Sequence, residues 1–261
     1  MNSPEAPISQ ETSVETQHPN GRLASRTPLV DQLPHGTSQS FDPNGNLLES
    51  MTFHKGTPHG PISQYHPNGQ LAFQANYQQG LLVGTASAFN PRGQPSQQAD
   101  YLAGQLNGPC TLYQDGNPTA RISYENGSMQ GPMETFHANG QTAGRLAYQD
   151  GLPHGIAQWY GPQGALLKKS TYLAGELHGE TLGYHTNGAI RESSTYSHNL
   201  LEGTSTSYDP DGEVLHQIRY HKGIEIDPAS PTTHDPAGEP GEAPPKKPGF
   251  FKRIWLWLCG E

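Results

Sequence analysis

The stretch GTSQSFDPNGNLLESMTFHKGTPHG, residues 36–60, decides how the whole chain reads. Two runs of strand length, 37–41 and 47–53, alternate in character and flank Asp42-Pro43-Asn44-Gly45. A three-residue hairpin loop wants a type I turn followed by a left-handed residue. Proline suits its first position, because φ is already near −65°, and glycine its third, because only glycine takes positive φ without penalty. Pro43-Asn44-Gly45 meets both demands in order, which predicts a β-hairpin with Asp42 facing Asn46. With that loop, the odd-numbered residues of both strands are expected on one face, so that Phe41, Leu47, Met51 and Phe53 form one apolar stripe.

The same pattern recurs along the chain. Glycines 36, 60, 84, 108, 131, 155, 179 and 203 stand 24 residues apart, with one spacing of 23. Five positions after each comes an aromatic: Phe41, Tyr65, Phe89, Tyr113, Phe136, Tyr160, Tyr184 and Tyr208. A second aromatic column runs Phe53, Tyr77, Tyr101, Tyr124, Tyr148, Tyr172, Tyr196 and Tyr220. Self-similarity at such a period marks a stacked repeat array, in which each unit buries its apolar face against its neighbours. The expected fold is therefore all-β: an elongated antiparallel meander of about eight stacked hairpin repeats.

Composition agrees. A hydrophobic content of 32% is low for a thick globular core and suits a sheet whose aromatic stripes do most of the packing. A net charge of −9 argues against general nucleic-acid binding, which needs basic surface. Cys110 and Cys259 stand in unrelated contexts and suggest no disulfide framework. The N-terminal residues show neither a basic start nor an apolar run, and no stretch of 18 apolar residues occurs, so a soluble cytoplasmic protein is expected. The organisation expected is a disordered polar segment over 1–16, the repeat array over 17–223, a proline-rich acidic linker over 224–247 and an amphipathic tail over 248–261. Within the array, 17–36 reads as a degenerate first unit, with Leu29 where a tyrosine is due.

The repeat resembles the variant MORN repeat (MORN_2) of bacterial antitoxins of the YwqK type: NG, then leucine, an aromatic and G-x-x-x-G. PNGQLAFQANYQQGLLVG (67–84) and PQGALLKKSTYLAGELHG (162–179) show it, with departures at Pro95, Pro118 and Asn199. The resemblance implies a non-enzymatic module that neutralises a toxin by binding it, and brings no catalytic residues and no cofactor.

Among candidate sites, the histidines before the repeat glycine (His35, His59, His154 and His178) recur with the turn. Equivalent positions in adjacent repeats stand about 10 Å apart, too far for one metal, so no metal site is expected. No nucleophile elbow or phosphate-cradling loop appears either. Departures from the consensus are where recognition is written, and they gather in the fourth to sixth repeats. Leu112, Met133 and Trp159 are expected beside Arg121, Arg145 and Lys169 on one face, as a protein-binding surface with aromatic and arginine anchors. The competing expectation is a sheet that covers its own second face there. The tail offers a second candidate: Phe250, Phe251, Lys252, Arg253, Trp255 and Trp257 combine interfacial aromatics with basic charge. It suits peripheral contact with the inner membrane, or a cap over an open sheet edge.

Overall fold

The computed structural model describes residues 11–226. All 22 strands among them belong to one antiparallel sheet, in which each long strand pairs with the next long strand. The first strand, Glu11–Gln17, and the last long one, Val214–His221, do not meet, so the sheet stays open. Nine hairpins make it up; the remaining four strands, Leu33–Pro34, Leu152–Pro153, Leu200–Leu201 and Ile224–Glu225, are two-residue pieces just after the tight turns. Glu11–Gln17 overlaps the stretch 1–16 expected to be disordered. It pairs with Leu23–Val30, so the supposed degenerate unit is a complete hairpin.

The predicted loop is present. The Asp42 amide donates to the Asn46 carbonyl at 2.9 Å, and the Gly45 amide to the Asp42 carbonyl at 2.9 Å. Gly45 holds φ at +93°. The Asn46 side chain and backbone, with the Asn44 amide, donate to the Asp42 carboxylate and hold its carboxyl below the usual range. At the other end of each unit, two-residue turns such as Gln79-Gly80 carry positive φ at both positions, the type I′ geometry that matches strand twist. The single 23-residue spacing has the same origin. In the unit starting at Gly108 the long loop is replaced by a second tight turn, Asp115 at φ +50° and Gly116 at φ +80°.

One expectation about the faces is overturned. Inside every long hairpin the register slips by one residue: Ser40 pairs with Glu49 but Phe41 with Leu47, leaving Leu48 as a bulge. Ala72, Ser96, Ala143 and Leu167 occupy the same place. Because side chains alternate with period two, one extra residue exchanges the faces beyond it. Phe41 and Leu47 therefore lie on one side, and Met51 and Phe53 on the other. The two aromatic columns are split, although the three-residue loop itself stands.

The side carrying Met51 holds the core. A single row crosses the whole sheet through the cross-strand pairs Val14–Thr27, Ser38–Met51, Ile62–Ala75, Ala86–Ala99, Cys110–Ile122, Met133–Leu146, Ala157–Ser170, Thr181–Ser194 and Ser205–Ile218. Its middle is sealed: Ile122 is 1% exposed, Ala157 and Ser170 0%. Burying one side chain the size of Ile122 contributes about 1.5–3 kcal/mol. Small residues suffice because the flanking tyrosines lean over them; Tyr77 and Tyr101 pack on Ile62, Ala75 and Ala86. Each of those tyrosines stands opposite a repeat glycine, as in Gly60–Tyr77, Gly84–Tyr101 and Gly155–Tyr172. Burial pushes the hydroxyls of Tyr101, Tyr148, Tyr172 and Tyr196 up.

The long loops are stitched to one another along their edge. His18, His66, His137 and His185 donate Nε2–H to the carbonyls of Phe41, Phe89, Tyr160 and Tyr208 at 2.8–2.9 Å. Asn68 and Asn139, two residues further on, donate Nδ2–H to the carbonyls of Pro91 and Pro162. These histidines are structural donors that link four of the hairpins to the ones that follow them.

Candidate functional site

Beside the core row, on its long-loop side, runs a second row on the same face. Across the later repeats it reads Leu112, Ala120, Thr135, Gly144, Trp159, Lys168, Gly183, Glu192, Ser207 and His216. Trp159 comes from Gly155–Tyr160 and Lys168 from the facing strand Leu166–Leu173. The Lys168 ammonium stands 5.7 Å from the Trp159 ring centroid, within cation–π reach. Gly144 and Gly183 bracket this pair in the two outer strands.

Neither glycine is required by backbone conformation, since neither holds positive φ. What each contributes is a missing side chain. A Cβ on Gly144 would stand 3.0 Å from Thr135 Oγ1 and 3.5 Å from Trp159 Cδ1, and one on Gly183 would meet Glu192 Oε1 at 2.6 Å, so neighbouring side chains already take up both places. Trp159 and Lys168 form a half-open shelf, bounded on the Gly183 side by Glu192, which pairs with Arg191 at 3.2 Å.

The structure divides the residues singled out from sequence. Leu112, Met133 and Trp159 share the core face, but Met133 belongs to the core row and is 4% exposed. Leu112 lies four strands from Trp159, about 19 Å at the usual strand spacing. Arg121, Arg145 and Lys169 pair opposite Thr111, Gln158 and Leu182 and so lie on the reverse face. They form no uninterrupted ladder. A first strand intervenes between successive second strands and places Glu134 opposite both Arg121 and Arg145. Arg145 Nε donates to Glu134 Oε1 at 2.9 Å. The expected joint cluster of apolar anchors and cations on one face is therefore corrected, because the bulge and the interleaved strand separate them.

Lys168, Gly144 and Gly183 were missed from sequence. Their signal is an empty position: elsewhere this row carries Gln64, Phe73, Ala88 or Gln97, and only beside the tryptophan does it turn to glycine.

The histidines before the repeat glycine pack against others on the tight-turn edge. His35 and His54 have ring centroids 4.9 Å apart, His54 and His59 6.0 Å, and His178 and His198 5.0 Å. Among the described residues, no three His, Cys, Asp or Glu side chains converge as metal ligands would. Cys110 is a buried free thiol whose pKa burial pushes up, against a lowering contact from Gln97. No helix among the described residues is long and apolar enough to cross a membrane. Phe250, Phe251, Lys252, Arg253, Trp255 and Trp257 lie outside the described residues.

Comparison with known proteins identifies the repeat. The family described as MORN repeat variant, MORN_2, matches residues 34–55, 58–79, 177–198 and 201–222, two units near each end of the sheet. The unmatched middle contains Trp159, Lys168 and Gly144, whereas Gly183 and Glu192 lie in the matched unit 177–198. No curated protein matches the chain. Among solved structures, two of S. aureus TarM, one a mutant in complex with Fondaparinux, alpha-GlcNAc-glycerol and UDP, are 12% and 13% identical. Each covers 61% of this chain and 19% of that chain, with a TM-score of 0.21. The Tc holotoxin pore of Photorhabdus luminescens is 14% identical over 77% of this chain and 15% of that chain, with a TM-score of 0.16. This chain spans less than a fifth of the length of each, and the scores are too low to equate the folds.

Proposed function

We propose that this MORN repeat variant protein is a non-enzymatic protein-binding module that engages its partner through the Trp159 shelf. The observation that carries the reading is a partly exposed tryptophan bearing a lysine on its ring, in the part of the array outside the four matched units. Tryptophan is enriched among residues that dominate interface energetics. More narrowly, the partner is a toxin neutralised by direct association, making this an antitoxin or immunity protein acting in the cytoplasm. Support for that finer reading is the resemblance of the repeat; the acidic balance of −9 further favours a basic partner.

The test is affinity capture with the full chain from extracts of its own cells, read by mass spectrometry. Trp159→Ala should lose the captured protein, with binding weakened about 30-fold or more, as for a hot-spot anchor. Its melting temperature should stay close to wild type. Equal capture by the variant overturns the site.

A second reading is favoured by the composition of the tail. Its aromatics and basic residues Lys252 and Arg253, with Lys246 and Lys247 just before it, suit a scaffold that rests on the inner membrane surface. Liposome flotation of the full chain against a 1–247 truncation separates the two: flotation lost on truncation supports the scaffold.

A further inference from the structure

The two ends of the sheet complement each other. Among the described residues, Glu11–Gln17 is paired on one side only, with Leu23–Val30. Val214–His221 is paired along its length with Gly203–Tyr208, and on its outer side only at Tyr220 and His221. Unpaired edges of this kind are normally blunted with charged side chains, proline or a bulge; Glu11–Gln17 carries no proline or lysine, and of its two charges Glu15 is held by Arg26 of its own hairpin at 2.6 Å.

The core row argues in the same direction. It ends at Val14 on one edge and Ile218 on the other, two β-branched apolar residues, although the residues next inward are polar and satisfied by one another. Thr27 bonds Ser38 at 2.8 Å, and Ser194 bonds Ser205 at 2.6 Å. An array that simply ended in water would reverse this order. Val14 is 51% exposed, and Ile218 is partly exposed.

We infer that the C-terminal edge strand of one copy accepts the N-terminal edge strand of the next, continuing the meander head to tail. The register follows from the junctions inside the chain, where Met51 pairs with Ile62 and Ile122 with Met133. Carried to the ends, that register sets Ile218 against Val14 of the second copy, restoring an apolar pair to the core row. It sets Arg219 opposite the stretch 11–13, and so beside Glu11, in the place Thr52 takes opposite 59–61. The edges carry complementary charge there. Because the two surfaces differ, the contact is heterologous and leaves a free edge at each end, so assembly is an open series, not a closed dimer.

Sedimentation velocity of the full chain across a concentration series tests this. The expected species are successive multiples of 28.3 kDa that grow with concentration. Val14→Lys and Ile218→Lys should each be monomeric, with wild-type circular dichroism establishing that they fold. Mixed one to one, they should form a heterodimer and nothing larger, because each retains the edge that the other has lost. A full chain that stays monomeric overturns the inference. So does a dimer indifferent to both variants, or association that appears only when residues 227–261 are removed, which would assign the edge to the chain's own C-terminal segment.

Discussion

Gly108 holds φ at +118°, and a Cβ built on it would stand 3.1 Å from the Cβ of Asp100. Gly45 holds φ at +93° with nothing within 4 Å. The pair separates two costs that a repeat glycine can carry. Gly45→Ala should cost only the left-handed conformation, about 1–2 kcal/mol. Gly108→Ala should cost visibly more, because the clash is with a Cβ atom held by its own backbone. Urea midpoints of the two variants check the order. Tyrosine supplies the second effect at this scale. Burial raises the hydroxyls of Tyr101, Tyr148, Tyr172 and Tyr196 above their ordinary value of 10.0. A group whose folded pKa is raised contributes stability that is complete below the unfolded value and lost as pH rises through the folded one. Stability should therefore decline above about pH 10, and replacing Tyr148 and Tyr172 by Phe should flatten the decline in alkaline urea titrations.

Hairpins meet their neighbours through loops as well as strands. His66 Nε2 donates to the Phe89 carbonyl at 2.8 Å and Asn68 Nδ2 to the Pro91 carbonyl at 2.6 Å. Removing either side chain by Ala should lower stability by about 1 kcal/mol, the usual net worth of such a bond. The two losses should couple in a double-mutant cycle, since both act on one loop contact. The bulges act at this scale too. Leu48, Ala72 and Leu167 each turn the strand so that the tyrosine column, instead of the loop-side aromatics, closes over the core row.

Across the whole sheet, stability is distributed along one dimension, because each hairpin touches only the next. Deleting residues 60–83 removes one 24-residue unit and joins His59 to Gly84, restoring the His-Gly step. The shortened chain should keep its β-type circular dichroism and unfold with an m-value lower by roughly a tenth, in proportion to the surface removed. Loss of cooperative unfolding would mean that the hairpins depend on contacts beyond their neighbours.

The repeat period, the hairpins and the three-residue loop were legible in the chain itself, because they depend on local constraints. Proline presets one dihedral, glycine alone tolerates another, and spacing repeats them. The facing of the side chains was not. Nothing in Leu47-Leu48-Glu49 marks Leu48 as a bulge until its partner strand is laid beside it, and that one residue decides which aromatics share a side. The same holds for the candidate site. Trp159 stood out as a departure, but its neighbours Lys168, Gly144 and Gly183 come from other strands and meet it only through inter-strand register. Arg121 and Arg145 look like a ladder in sequence, whereas the sheet threads Glu134 between them. Local geometry is written residue by residue; adjacency across strands is a property of pairing, and pairing exists only once the sheet has formed.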